Sequence, residues 1–224
     1  MAKAVSAASS VLFDLDGTFA DTAPDLGAAL NRLRADLDLA PLPLEELRPH
    51  TSSGVRGMLG AGLGMRPNDA HYAEFYARYL RFYGDALCVH TTLFPGIEEL
   101  VSRLEAGGAA WGIITNKTQH FTLPLLEQLG YAKRADCIVS GDSSPHAKPA
   151  AHPMHLACAL IARPPAHCFY VGDDRRDIEA GRAAGMHTIA VRYGYLGTGE
   201  PIEAWGADHL VEHATDIAVL AGLA

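Results

Sequence analysis

The segment Val11-Leu12-Phe13-Asp14-Leu15-Asp16-Gly17-Thr18 decides how the rest of this chain is read. Its apolar start has the length and composition of a buried strand. Two carboxylates end the run abruptly, and Gly17-Thr18 breaks it as a turn. Like charges one residue apart at the end of a buried strand repel each other. They persist together beside a cation, a shared proton or an electrophile. The segment therefore marks a reaction centre whose remaining parts must come from elsewhere in the chain.

Downstream, the texture changes to helix. Asp21-Thr22-Ala23-Pro24 offers a cap with proline in the first turn, and Leu26, Leu30, Leu33 and Leu37 recur at helical spacing. Pro41 and Pro43 end that stretch, and a glycine-rich patch runs from Gly54 to Gly64. Tyr72, Phe75, Tyr76, Tyr79 and Tyr83 then fall about one turn apart, which predicts one aromatic helix face packed in a small bundle.

From Pro95 onward, short apolar runs alternate with amphipathic stretches. The runs are Trp111 to Thr115, Cys137 to Ser140, Cys168 to Gly172, His187 to Val191 and His209 to Val211. Such alternation predicts a parallel sheet covered by helices on both faces. The expected fold is thus α/β, a doubly wound Rossmann-like core made of residues 1–18 and 91–224, interrupted by an all-helical insert at residues 19–90.

Composition narrows the function classes. A chain of 224 residues can bury a sizeable core without disulfides or structural metal. Its formal net charge of −8 argues against nucleic acid and anionic membrane as partners. The stretch Met1 to Ser10 carries Lys3 and leads straight into the first strand, without the pattern of a secretory signal. Cys88, Cys137, Cys158 and Cys168 form no CxxC pair and read as small buried hydrophobes. The expectation is a reduced, cytoplasmic protein with no membrane span; the residues carry no signal for oligomeric state.

In an open parallel sheet, ligands bind beyond the carboxyl ends of the strands. Those ends carry Asp14 and Asp16, then Thr115 and Asn116, then Lys148-Pro149, then Asp173 and Asp174 with Asp177 just after. Carboxylates suit a hard cation such as Mg²⁺, while hydroxyl, amide and ammonium suit phosphoryl oxygens. A carboxylate can attack phosphorus to give an aspartyl-phosphate, provided a cation and an ammonium offset the negative charge of both partners.

Phe13-Asp14-Leu15-Asp16-Gly17-Thr18, Ile114-Thr115-Asn116-Lys117, Lys148-Pro149 and Val171-Gly172-Asp173-Asp174 with Asp177 resemble, in order, the four motifs of the haloacid dehalogenase superfamily. The resemblance covers nearly the whole chain and implies that the insert is that family's helical cap. The stretch Asp14 to Asp25, Thr115-Asn116-Lys117 and Tyr193-Gly194-Tyr195 are similar to phosphoglycolate phosphatases. Cys88-Val89-His90, Leu93 to Gly96, Trp111 to Lys117, Gly172 to Glu179 and Trp205 to Asp208 are similar to bacterial N-acetylmuramic acid 6-phosphate phosphatases.

That resemblance implies an Mg²⁺-dependent phosphomonoesterase for a small acidic phosphorylated metabolite. Asp14 is then the nucleophile and a metal ligand. Asp16 is the general acid and base, with its backbone carbonyl on the metal. Thr115 and the Asn116 backbone hold phosphoryl oxygens, Lys148 neutralises charge, Asp173 binds Mg²⁺, and Asp177 holds a metal-bound water or Lys148. Asp174 reads equally as a ligand or a plain helix cap. Phe19-Ala20 replaces the family's usual aliphatic pair, which affects packing under the cap hinge more than chemistry. The loop Ser140 to Lys148 departs from the phosphoglycolate pattern. Arg56 and His90 are candidates for touching the organic part of the substrate.

Competing readings are weaker. Gly60 to Gly64 has the wrong spacing for a dinucleotide fingerprint, and no strand precedes it. His146, His152 and His155 lack a carboxylate or thiol partner at metal spacing. A phospho-receiver module would carry its acidic pair early and its phosphorylated aspartate on a later strand. The presence of Asp16 disfavours a dehalogenase. A phosphosugar mutase uses the same two aspartates and stays open as an alternative.

Overall fold

The structure, a computed structural model, describes residues 9–223, so the expectation for the amino-terminal stretch falls largely outside it. The first strand, β1 (Ser10–Phe13), is followed by β2 (Ala20–Asp21) and four insert helices. These are α1 (Ala23–Ala35), α2 (Leu44–Leu47), α3 (Gly54–Leu63) and α4 (Tyr72–Asp85), with a 3₁₀ turn at Arg48–Ser53. Then come β3 (Thr92–Leu93), α5 (Ile97–Ala106), β4 (Trp111–Ile114), α6 (Gln119–Leu129), β5 (Cys137–Val139) and α7 (His152–Leu160). The chain closes with β6 (Cys168–Gly172), α8 (Arg175–Ala184), β7 (His187–Val191), β8 (His209–Val211) and α9 (Asp216–Leu220).

Six strands form one parallel sheet in the order β5-β4-β1-β6-β7-β8. Without the insert this is the Rossmann order 3-2-1-4-5-6, in which the direction of winding reverses beside the first strand. It differs from the flavodoxin-like 2-1-3-4-5 order of receiver modules. The reversal lies between β1 and β6, and it sets the ends of those strands, Phe13 and Gly172, next to each other.

Period-two alternation distributes the core. Val11 and Phe13 pack on one face with Trp111, Ile113, Val171 and Ile189 against α5, α6 and α9. Leu12 packs on the other with Ile114, Val139, Tyr170 and Met154 against α7 and α8. Strands buried on both faces explain why the sequence shows continuous apolar runs there instead of alternation with polar residues. Phe19 is fully buried, stacks on Trp111 at 5.7 Å and meets Tyr131 edge-on at 5.2 Å, so the exchange at Phe19-Ala20 is a packing change under the insert.

The insert leaves and rejoins the core through β2 and β3, which pair antiparallel as Ala20 with Leu93 and Asp21 with Thr92. Inside it, α1 packs against α3 and α4. Tyr79, Phe82 and Tyr83 of α4 are buried, whereas Tyr72 and Phe75 are half-buried and Tyr76 is exposed. The aromatic face is therefore only partly a bundle core. The expected side-chain cap of α1 is also absent: Thr22 occupies the cap position, but its hydroxyl donates to Asp16 Oδ1 at 2.6 Å. The Tyr195 hydroxyl replaces it, accepting from the Thr22 and Ala23 N–H groups at 2.8 and 2.9 Å.

Cys137, Cys158 and Cys168 are buried free thiols as expected, while Cys88 is partly exposed. Among the described residues, no helix is long and apolar enough to cross a membrane. His146, His152 and His155 are exposed, with the rings of His146 and His152 4.7 Å apart.

Candidate active site

Sheet geometry delivers the acidic groups. Asp14 continues β1 by donating its N–H to Val171 O at 2.8 Å, so its side chain emerges at the carboxyl edge. Asp173 and Asp177 follow β6, where Asp14, Asp173 and Asp177 each bring a carboxylate oxygen within 4.8 Å of the others. Asp173 is fully buried, and it accepts from the Thr18 hydroxyl at 2.9 Å and the Tyr195 N–H at 2.8 Å. Gly17 holds a φ of +87°, and a Cβ there would overlap the Asp173 carboxylate, so the turn admits glycine alone.

Lys148 is the cation of this cluster. Its ammonium lies 2.8 Å from Asp14 Oδ1 and 2.7 Å from Asp177 Oδ1, and it donates to the Tyr170 hydroxyl oxygen at 2.9 Å. Tyr170 in turn donates to the Ile114 carbonyl at 2.8 Å. The loop carrying Lys148 is set by Asn116, whose Oδ1 accepts the Lys148 N–H at 2.9 Å while its Nδ2 donates to the Lys148 carbonyl at 3.1 Å. The Asn116 side chain is thereby spent on orienting Lys148, which leaves its backbone for any ligand. Thr115, buried at the end of β4, accepts the Lys117 N–H on its hydroxyl at 3.2 Å.

The electrostatics follow from two buried acids, Asp173 and Asp177, and the partly buried Asp14 gathered beside one ammonium. Burial pushes Asp14 up to about 7, against the pull of Lys148 and with help from Asp177. Burial raises Asp173 well above the ordinary carboxylate range, and the Asp14 and Asp177 charges add to it. Burial disfavours the Lys148 charge, yet Asp14 and Asp177 outweigh it and hold the ammonium above its usual pKa. With all three carboxylates ionised, the cluster would carry a formal charge of −2 after Lys148 is counted. Oxygen donors at this spacing fit a hard divalent ion.

Asp16 faces away from that trio. Its Oδ1 accepts from Thr22 at 2.6 Å and from the Lys117 ammonium at 3.0 Å. Lys117 sits 4.8 Å above the ring of Tyr83 in the insert. Asp174 lies outside the trio as well: it caps α8, accepting the Arg176 N–H at 2.9 Å, while Asp177 Oδ2 accepts the Asp174 N–H at 3.1 Å.

Asp14, Asp16 and Lys148 floor a cavity of about 340 Å³ between sheet and insert. Leu26, Val55, Tyr76, Tyr79, Tyr83 and Phe121 make its walls largely apolar and aromatic. Arg56 lines it and, among the described residues, makes no ion pair. His90 is not in the lining; its N–H is held by Asp25 at the return of the insert to the core. Sequence reasoning assigned no role to Lys117, Tyr170 or Tyr195, and gave Thr22 only a place in a helix cap. Lys117 alone had a local signal, directly following Thr115-Asn116 at a strand end.

Fold and site together define a Rossmann-type hydrolase with a buried carboxylate cluster at the winding reversal and a helical insert above it. Residues 11–191 match the model of the haloacid dehalogenase-like hydrolases, and the chain belongs to that family. It is 38% identical over 208 residues to an N-acetylmuramic acid 6-phosphate phosphatase of Pseudomonas aeruginosa, covering 93% of this chain and 92% of the relative. A phosphoglycolate phosphatase of Xanthomonas campestris pv. campestris is 41% identical over 207 residues, covering 91% of each chain. A crystal structure of a predicted phosphoglycolate phosphatase from Haemophilus somnus superposes with a TM-score of 0.84 over 97% of this chain and 99% of its own, at 24% identity. The chain is a phosphatase of this family, hydrolysing phosphomonoesters.

Proposed function

We propose that the enzyme works through an aspartyl-phosphate on Asp14. The observation that carries this is the division of labour on that carboxylate. Asp14 lines the cavity, and its Oδ1 is held by the Leu15 N–H at 2.7 Å and Lys148 at 2.8 Å, whereas Oδ2 accepts no hydrogen bond from the described residues. Oδ2 forms the bond to phosphorus as the ester P–O bond breaks. Asp16 gives its proton to the leaving alkoxide, then takes one from the water that releases inorganic phosphate. Thr115 and the Asn116 backbone hold phosphoryl oxygens, and Lys148 offsets their charge.

Asp14 and Asp173, with the Asp16 backbone carbonyl, would hold Mg²⁺, and Asp177 would act from outside through Lys148. When bound, the ion neutralises charge between carboxylate nucleophile and phosphate. Residues 19–90 act as a cap that excludes water and selects the leaving group. Arg56 is the cavity cation able to meet a ligand anion without surrendering a carboxylate, so the substrate is a small phosphorylated acid.

Phosphoglycolate is one such ester. A two-carbon acid leaves most of the 340 Å³ unfilled, and the tyrosine walls suit the apolar face of a sugar ring, which favours N-acetylmuramic acid 6-phosphate as the second reading. The test is phosphate release from both esters and from hexose phosphates, with and without Mg²⁺. Isomerisation of a hexose phosphate without phosphate release would instead identify a mutase, and no turnover of any ester would reject the assignment.

A further inference from the structure

Several polar ties join the insert to the core, and nearly all of them lie at the connecting strands. Asp25 holds the N–H groups of Val89, His90 and Thr91. Tyr195 holds Thr22, Ala23 and Asp21. Thr22 holds Asp16. These bonds lie where the chain passes between core and insert, so a rotation of the insert about its connections would leave them in place.

One tie is different. Arg176, in the first turn of α8, donates from Nη2 to the Ser52 carbonyl at 2.6 Å, across 124 positions of sequence. Among the described residues it is the hydrogen bond between core and insert that involves neither connecting segment. Both Arg176 and Ser52 line the cavity, so the bond crosses the cavity wall and not the outer surface. It cannot persist if residues 48–53 swing away to admit a substrate.

The guanidinium is oriented before it reaches across. Asp174 Oδ1 accepts from Arg176 Nε at 2.8 Å and Oδ2 accepts from Nη2 at 2.8 Å, a two-point clasp that fixes the plane of the group. Asp174 is itself fixed by the reciprocal cap with Asp177, whose other oxygen bonds Lys148. A continuous chain of hydrogen bonds therefore runs from Lys148 through Asp177, Asp174 and Arg176 to the insert.

We propose that Arg176 is a positioning residue that latches the helical insert shut over the Asp14 site, and that Asp174 serves as the anchor of this latch and not as a metal ligand. The proposal rests on the reading of residues 19–90 as a moving cap. Closing the latch shields the site from water and brings the cavity walls onto the leaving group, so its loss falls on turnover.

The test is amide hydrogen exchange, read by mass spectrometry on the full-length protein, combined with kinetics on p-nitrophenyl phosphate. In Arg176→Met, residues 48–56 should exchange at least tenfold faster while α8 keeps its protection, and kcat should fall about tenfold or more with a smaller change in KM. Arg176→Lys keeps a positive charge beside Asp174 but lacks the planar fork, and should behave like Arg176→Met. Unchanged exchange at 48–56, equal deprotection of α8, or full recovery by lysine would each overturn the latch. Exchange is read without turnover, so an unreactive wild-type protein would fault the phosphatase reading alone and leave the latch to the exchange data.

Discussion

Lys148 and Asp177 form an ion pair at 2.7 Å in which both side chains are almost wholly removed from solvent. A buried pair of this kind contributes little when intact, because each charge has lost its hydration. Breaking it is another matter, since the remaining charges are left without a partner. Lys148→Met is expected to destabilise the fold by about 3–5 kcal/mol as well as abolish turnover. The midpoint of urea unfolding checks the first effect and phosphate release the second.

Asp14 and Asp16 should separate cleanly by mutation. Asp14→Asn keeps the shape of the site but removes the attacking oxygen, so hydrolysis is expected to vanish in a folded protein. A measurable covalent phosphate on that variant would contradict the assignment of Asp14.

Asp16→Asn leaves attack on phosphorus intact and removes the proton donor and acceptor. Turnover is expected to fall by about 10²–10⁴. With p-nitrophenyl phosphate, whose phenolate leaves without a proton, intact-protein mass spectrometry of rapidly quenched samples should find the phosphorylated chain accumulating, because only the hydrolytic step then still needs Asp16. Unchanged rates would take Asp16 out of proton transfer.

Asp25 gathers four donors, the N–H groups of Val89, His90 and Thr91 and the Thr91 hydroxyl, at 2.7–3.0 Å. Its carboxylate is buried, so removing it strands the buried Thr91 N–H and hydroxyl away from water. Asp25→Ala should cost at least about 2 kcal/mol of stability and speed amide exchange at residues 89–91. A neutral result would mean that water replaces the carboxylate without penalty.

Arg56 contributes no ion pair among the described residues, so its loss should spare the fold. For an acidic ester, Arg56→Ala is expected to raise KM by about tenfold or more, the scale of one charge-assisted hydrogen bond. For p-nitrophenyl phosphate, which lacks a second acid, KM should hardly move. Equal effects on both substrates would place Arg56 outside leaving-group recognition.

Much of this site was legible because buried parallel strands announce their ends. Apolar runs stop where the chain reaches the edge of the sheet, so Asp14, Thr115 and Asp173 stand out without any structure. Lys148 was visible only as part of the ordered set of motifs. The contacts of the Tyr195 hydroxyl, Lys117 and Arg176 were not legible, since each joins groups more than a hundred positions apart whose meeting depends on how whole elements pack. The helix cap at α1 was misread for the same reason: Thr22 has a competing partner in Asp16, and a distant phenol takes its place. Aromatic spacing in α4 indicated a shared face, yet Tyr76, Tyr79 and Tyr83 serve the cavity as well as the bundle.

The pairing of Ala20 with Leu93 and Asp21 with Thr92 places the departure and return of the helical excursion side by side. Any excursion whose ends meet that ladder can be grafted here without redirecting β1 or α5. The carboxyl edge of the sheet would keep its reactive groups while the donor segment brought a new preference for the organic moiety, so selectivity and bond cleavage can diverge independently within one chain.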